Sequence, residues 1–443
     1  MAGPAIRCWE MARVLAGAGN QVRLIVPTRA DLEPEGFSIR VGTERSMADE
    51  ERWADLIVVQ GFVLTRYPVL AWTQKRLVVD LYDPFPIETL EMHAGRSLEY
   101  QNAQFWPTLS TLLVQTRIGD LYLCASERQR DFWMGALMAA NRLNPSTLAQ
   151  DRTMRRLIDL APFGIREGEP VHSGVPAIKG VLPGISGQAR VAIWAGGVYN
   201  WFDPLSLLQA WPGVVERIPE ARLVFLGLRH PNPTNPEMEM GRRALQLAER
   251  LGLRDRTVYF NTSWVPYDRR QDYLLEADLG VSTHFEHLET RLSFRTRMLD
   301  YIWAGLPIVA TEGDSFAEWI ERTGTGRVVR YEDRDGIVDA VTALLGDQPQ
   351  HDLAAERIRA ERPSFTWERA LRPLVEYCAD PWFAQDIAGN KNPSRIPGRS
   401  ADAQPPPGRV RKLLWYRRQE GTLAVARRLV RRARRQVRRQ APG

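Results

Sequence analysis

Apolar positions along this chain fall into two series of short runs separated by helix-period stretches. The first series is VRLIVP (22–27), LIVVQG (56–61), RLVVDLYD (76–83) and LYLCAS (121–126). Each run is of strand length and carries β-branched residues, as buried strands do. The second series is VAIWAGG (191–197), RLVFLG (222–227), TVYFN (257–261), LGVST (279–283), PIVAT (307–311) and GRVVRY (326–331). Helical segments lie between most of these runs. That alternation predicts an α/β fold with parallel sheets covered on both faces. No short sequence repeat is present; what recurs is the architecture, two Rossmann-like doubly wound units in tandem.

Between the series, residues 161–188 (APFGIREGEPVHSGVPAIKGVLPGISGQ) lose periodicity and gather Gly and Pro, which marks a boundary. The expected division is an N-terminal unit 1–165 and a C-terminal unit 166–378, closing on the helix FTWERALRPLVEYC (365–378). A flexible linker 379–408, rich in Pro, Asn, Gly and Ser, then leads to a basic amphipathic tail 409–443. In the tail Leu423, Ala426, Val430, Ala433 and Val437 share one helical face among arginines. The start of the chain departs from the pattern. A doubly wound domain begins with a strand whose loop carries glycine and opens the first helix. Here Gly3-Pro4 already occupies that loop and the helix follows at once. The first strand is therefore expected to be missing from this sequence, unless the domain simply starts with a helix.

Composition narrows the class. The 443 residues, 44% hydrophobic and 25% charged, suffice for two globular domains plus a tail. No run reaches the roughly 18 apolar residues of a membrane-spanning helix, and no signal peptide is visible. Cys8, Cys124 and Cys378 are scattered without metal-ligand spacing and the six histidines form no HxxxH or HxH pair. Both points argue for a reducing, cytoplasmic compartment and against a metal site. The net charge of +6 conceals an asymmetry: residues 409–439 carry thirteen Arg or Lys against Glu420 alone, so the remaining body is mildly acidic. The tail suits an anionic membrane surface, at the inner face of the plasma membrane, better than nucleic acid, because the body supplies no second basic surface. A solvated tail is the alternative.

The segment SFRTRMLDYIWAGLPIVATEG (293–313) carries the chemistry. A polar turn with Arg295 and Arg297 opens a short apolar helix, Gly305 ends it, and Pro307 leads into a strand. A helix N-terminus offers unpaired N–H groups and positive potential to a phosphate. Asp300, one turn on, is placed to accept bonds from sugar hydroxyls. An ordinary amphipathic helix with solvated arginines is the alternative.

With two tandem Rossmann-like units established, LDYIWAGLPIVAT resembles the LEAMACGLPVVAT-type segment of the GT-B glycosyltransferases of glycosyltransferase family 4, bacterial enzymes that use nucleotide-sugar donors. The opening GPAIRCWEMARVLAGAGNQVRLIVP, DLYLCASERQR (120–130), APFGI (161–165) and LEADLGVST (275–283) extend the resemblance over residues 1–378. It implies two Rossmann-like domains facing a cleft, with acceptor on the first and donor on the second. In the family's E-x7-E motif the second Glu binds ribose, and its position here is Asp300. The first falls on Leu292, so Glu286 or Glu289 is the expected donor-sugar contact. The family's Arg and Lys after the first strand of the second domain are replaced by AGGVYNWFDP (195–204). There Gly196 and Gly197 permit close backbone approach, as Gly3 does in the first domain, and Arg295 and Arg297 are expected to supply the charge. Asp80 and Asp83, outside the carboxyl end of a strand, are the candidate catalytic carboxylates; a plain Asp-Pro turn is the alternative for Asp83. Trp264 is the candidate stacking partner of the base.

The implied activity is retaining transfer of a sugar from UDP- or GDP-sugar to a cell-envelope, lipid-linked or polysaccharide acceptor, with no cofactor or obligatory metal. A non-catalytic nucleotide-sugar binding protein and a GT-B-type epimerase or phosphorylase are the competing readings.

Overall fold

The computed structural model describes residues 3–28, 32–228, 238–263, 265–266 and 269–394. The helix Gly3–Gly17 comes first, and twelve strands follow among the described residues. In the first half these are β1 (Arg23–Val26), β2 (Ser38–Val41), β3 (Leu56–Gln60), β4 (Arg76–Asp80), β5 (Leu121–Cys124) and β6 (Ile158–Leu160). In the second half they are β7 (Arg190–Gly197), β8 (Ala221–Gly227), β9 (Val258–Phe260), β10 (Leu279–Ser282), β11 (Ile308–Thr311) and β12 (Gly326–Val329). Every pairing is parallel.

The second-half strands form one six-stranded sheet in the order β12-β11-β10-β7-β8-β9. The order reverses beside β7, and a doubly wound sheet opens its ligand crevice at such a point. The first half is divided into a pair, β1-β2, and a four-stranded sheet, β3-β4-β5-β6. Apolar side chains on both faces of β4, β5, β7 and β10 are sealed from solvent, which is why these strands read as continuous apolar runs.

The two halves share packing. Phe163, just past β6, lies 4.6 Å from the ring of Trp367. Ile165 accepts from the Trp367 N–H and donates to the Phe365 carbonyl, so the closing segment crosses back from the second half to the first. A side chain on Gly164 would strike the Trp367 backbone at 2.8 Å, which explains the glycine there.

Residues 379–394 depart from the expected flexible linker. Ala384 and Ile387 are buried against Tyr122, Trp133 and Leu137. Asp386 accepts from Arg142 Nε at 2.8 Å, Lys391 pairs with Asp120 in the interior, and Arg117 donates to the Pro393 carbonyl at 2.9 Å. Buried ions of opposite sign and two apolar anchors hold the segment down, and its Pro/Asn-rich composition does not reveal them. The rest of the expected linker and the tail 409–443 lie outside the described residues. No described helix is long and apolar enough to cross a membrane.

Candidate functional site

The crevice beside β7 is built from the segment singled out in the sequence. Helix Thr296–Ala304 ends at Gly305, whose φ of +73° is the left-handed cap glycine adopts at little cost. Tyr301 fastens the helix to the sheet: its hydroxyl lies 3.0 Å from the Ile193 carbonyl and 2.8 Å from the Val281 carbonyl, and accepts from Ala195 N–H. A side chain on Gly280 would collide with that ring at 2.4 Å. The helix N-terminus is thereby fixed over the end of β7, where Gly196 (φ +108°) and Gly197 turn the chain.

The two arginines of this turn have different surroundings. Arg295 is buried, and both of its terminal nitrogens grip the Glu289 carboxylate at 2.7 Å. Glu289, on the short helix Leu288–Leu292, is 1% exposed. This corrects two expectations: Glu289 is taken by Arg295 instead of standing open to a donor sugar, and Arg295 is neutralised instead of offering free charge to a diphosphate. A bidentate pair of this kind fixes geometry. Glu286 is exposed.

Arg297 is equally buried, but among the described residues it pairs with no carboxylate. One terminal nitrogen donates to the Gly197 carbonyl at 2.7 Å; the other has no partner. The guanidinium lies against Phe202 and Trp194, at 4.0 and 4.6 Å from the ring centres. Burial lowers its pKa to about 10, with Arg295 adding repulsion. A buried cation left short of hydrogen-bond acceptors is costly, and an anion entering beside Gly197 would relieve it. Asp300, one turn along, accepts from Arg270 Nε at 3.1 Å and keeps a third of its side chain exposed. Burial raises its pKa, opposed by Arg270 and Arg297.

Across the crevice, the two expected carboxylates part company. Asp80, at the end of β4, is 2% exposed. It accepts from Arg7 Nε (2.7 Å) and Nη2 (2.8 Å) and from Gln60 Nε2 (2.8 Å). Its charge is fully used inside the fold, which removes the catalytic reading for Asp80. Asp83 lies three residues on and faces the crevice, hydrogen-bonded to Glu88 on the helix Phe85–His93. Burial pushes Asp83 up to about 6 and Glu88 well above the ordinary carboxylate range, with Glu289 repelling both. Each carboxylate opposes the ionisation of the other, as close carboxylates do.

Residues absent from the sequence reading join the two walls. Gln129 donates through Nε2 to the Tyr82 carbonyl at 2.9 Å and to the Leu292 carbonyl at 2.8 Å, while its Oε1 accepts from Ala125 N–H. It therefore ties the loop of Asp83 to the loop of Arg295. Asn200 donates to the Met92 carbonyl at 3.1 Å. Tyr199, stacked on Trp201 at 4.9 Å, lies within electrostatic reach of Glu88, Asp83 and Arg297. His284 is buried and its pKa falls well below the usual value, first through burial and then through Arg295, so it is neutral. Glu88 was legible as an acid one turn into the helix after Asp83-Pro84; Gln129 carried no comparable mark. Gly3 begins the opening helix with open space about its Cα, and Trp264 lies outside the described residues. Among the described residues no group of three or more His, Cys, Asp or Glu is arranged to hold a metal.

Residues 189–347 match the model of the family described as Glycosyl transferases group 1. Relatives include the D-inositol 3-phosphate glycosyltransferases of Corynebacterium urealyticum (26% identical over 214 residues, 48% of each chain) and of Saccharomonospora viridis (24% identical over 247 residues, 54% of this chain and 55% of the relative). The match thus spans about half the length of either relative. Among solved structures, WaaG, a glycosyltransferase involved in lipopolysaccharide biosynthesis, superposes with a TM-score of 0.61 at 15% identity, covering 86% of this chain and 97% of WaaG. Anabaena HepE, solved in complex with UDP-glucose, superposes at 0.56 and 14% identity, covering 84% of this chain and 95% of HepE. Residues 189–347 thus resemble the glycosyl transferases group 1 family, and the fold is that of the GT-B glycosyltransferases.

Proposed function

We propose that this protein is a glycosyltransferase that moves a sugar from a nucleotide-sugar donor to a cell-envelope, lipid-linked or polysaccharide acceptor. The observation that carries the reading is Arg297, a buried guanidinium with one nitrogen unpartnered at a helix N-terminus beside two glycines. The donor's diphosphate answers that unmet charge. As the sugar–phosphate bond breaks, negative charge grows on the leaving diphosphate, and a fixed cation plus backbone N–H groups stabilise it most at that moment. No metal is called on for this. Asp300 receives the ribose hydroxyls, with Arg270 orienting its carboxylate. The Arg295–Glu289 pair positions the turn. Across the crevice, the Asp83–Glu88 pair takes the proton of the acceptor hydroxyl or orients it. Retention of anomeric configuration follows from the resemblance to family 4. UDP-sugars come first among donors, since HepE was solved with UDP-glucose. The cytoplasm, with contact to the inner face of the membrane through 409–443, is the proposed site of action.

The test is a mass-spectrometric screen for UDP or GDP release from a nucleotide-sugar panel, with lipid-linked and phosphorylated polyol acceptors present. Acceptor-dependent release that disappears in Arg297→Ala supports the reading. Tight nucleotide binding without turnover across the panel would instead favour a non-catalytic binding protein. One observation speaks for that second reading: Glu289 is held by Arg295 and Leu292 carries no carboxylate, which leaves the donor sugar only the exposed Glu286 among the acids expected to grip it.

A further inference from the structure

The acceptor side of the crevice is acidic. Beyond its bond to Glu88, the strongest charges acting on Asp83 are Glu289 and Asp80. Those acting on Glu88 are Asp83 and Glu289, with Arg295 weaker, and Arg295 is itself gripped by Glu289. The arginines of the neighbouring elements are engaged elsewhere. Arg7 is enclosed by Asp80 and by the Ala161 and Pro162 carbonyls. Arg128 donates to the Gly313 carbonyl at 2.5 Å and pairs with Glu318. Arg66, just past β3, donates to the Tyr67 hydroxyl at 3.1 Å and reaches the Pro27 carbonyl just past β1. Each of these guanidiniums is already held by oxygen atoms of the protein.

Aromatic rings flank the same acids. Phe62 follows β3 and Phe85 follows β4, so both stand at the carboxyl edge of the sheet, where a doubly wound fold receives ligands. Their rings lie 5.3 Å apart, and Phe62 is 49% exposed. Phe85 and Glu88 are one turn apart on the helix Phe85–His93 and share a face of it. On the opposite wall Tyr199, stacked on Trp201, is within electrostatic reach of Glu88 and Asp83. Aromatic rings around a few convergent polar groups make a small-molecule site. Rings and carboxylates together suit a sugar: its C–H face packs on an aromatic ring and its hydroxyls donate to carboxylate oxygens. A phosphate has only acceptor oxygens and roughly −1.5 to −2 charge at pH 7, so it would meet Asp83, Glu88 and Glu289 as like charges.

Resting on the glycosyltransferase reading, we propose that the acceptor is the neutral sugar end of a glycan. It sits on Phe62 and Phe85 with its accepting hydroxyl at the Asp83–Glu88 pair, and the accepting ring carries no phosphate. In that seat the hydroxyl oxygen bonds the anomeric carbon of the donor sugar as the bond from that carbon to the diphosphate breaks. The hydroxyl proton passes to the carboxylate pair, and the nucleoside diphosphate leaves with the bonding electrons. Phe62 is then a specificity residue for the acceptor. The acceptor chemistry differs from that of the relatives named for inositol 3-phosphate.

The experiment measures nucleotide release by the full chain from the nucleotide-sugar panel. Methyl hexosides serve as acceptors, each set against its own 6-phosphate, with inositol 3-phosphate beside them. At least one methyl hexoside should stimulate release, and the phosphorylated acceptors should do so roughly tenfold less or not at all. Phe62→Ala should raise the KM of that hexoside roughly tenfold with a smaller change in kcat, and Phe62→Tyr should restore it. Calorimetric affinity for the nucleotide should match wild type in both variants. Transfer to a phosphorylated acceptor as fast as to its neutral parent would overturn the proposal and leave the glycosyltransferase reading standing. An unchanged hexoside KM in Phe62→Ala would do the same. No stimulated release with any donor and acceptor would overturn both.

Discussion

Arg7 and Arg297 are both buried arginines near the carboxyl ends of strands, one in each half of the molecule, yet their surroundings are opposite. Arg7 meets the Asp80 carboxylate twice and the Ala161 and Pro162 carbonyls once each. Asp80 more than offsets the cost of burial, and Arg7 is held above its ordinary pKa. Arg297 meets one carbonyl and two aromatic faces, and falls to about 10. A buried charge matched by a carboxylate is part of the scaffold. A buried charge with no carboxylate partner and a donor left open stands ready for a ligand. The same contrast separates Asp80, enclosed by Arg7 and Gln60, from Asp83, which faces the crevice.

The largest effect is expected on the scaffold side. Arg7→Ala leaves Asp80 buried without a partner and should cost about 3–5 kcal/mol of stability, read by denaturant unfolding. A loss under about 1 kcal/mol would mean that Arg7 is not the fully used member of the comparison. Next comes Arg297→Ala, which should lower turnover by about 10²–10³-fold, or ~2.7–4 kcal/mol, while the variant melts no lower than wild type. Arg297→Lys should recover only part, because an ammonium lacks the planar fork. A variant that melts well below wild type would move Arg297 into the scaffold.

Asp314 sharpens the contrast within the second half. It caps helix Ser315–Thr323 by accepting from Ala317 N–H; its other oxygen accepts no hydrogen bond and lies 3.8 Å from Arg295 Nε, and burial raises its pKa to about 6 against the pull of Arg295. A raised carboxyl contributes stability that is present below its unfolded pKa near 4 and lost as pH rises through 6. Asn keeps the cap bond without the charge. The stability of Asp314→Asn relative to wild type should therefore improve by about 2 kcal/mol between pH 4.5 and 7.5, measured by melting at both. A pH-independent difference would place the proton elsewhere. The smallest effect is assigned to Asp300→Asn: donor KM should rise roughly tenfold, about the 1.4 kcal/mol of one charge-assisted hydrogen bond. An unchanged KM would remove Asp300 from the nucleotide site.

Local pattern carried much of this into the sequence. Each apolar run read as a strand contains one, because strands buried on both faces are written as continuous apolar segments. β2 (SIRV), largely exposed, and β6 (IDL), three residues long, left too little pattern to find. The helix and strand within 293–313 were legible from Gly305 and Pro307. Pairing across the chain was not. Asp80 looked available because Arg7 is 73 residues away. Residues 379–394 looked like a linker because the Arg142–Asp386 pair spans 244 positions. The difference between Arg295 and Arg297 rests on which way a carboxylate six residues upstream turns, and composition does not encode that.

The central claim is that Arg297 is kept buried and unpaired for a diphosphate. Calorimetric titration of UDP and GDP into the wild-type protein and Arg297→Ala tests it most directly. Wild type should bind at least one nucleotide, and the variant should bind it at least thirtyfold more weakly, with melting temperature preserved. Equal affinities in the two proteins would contradict it.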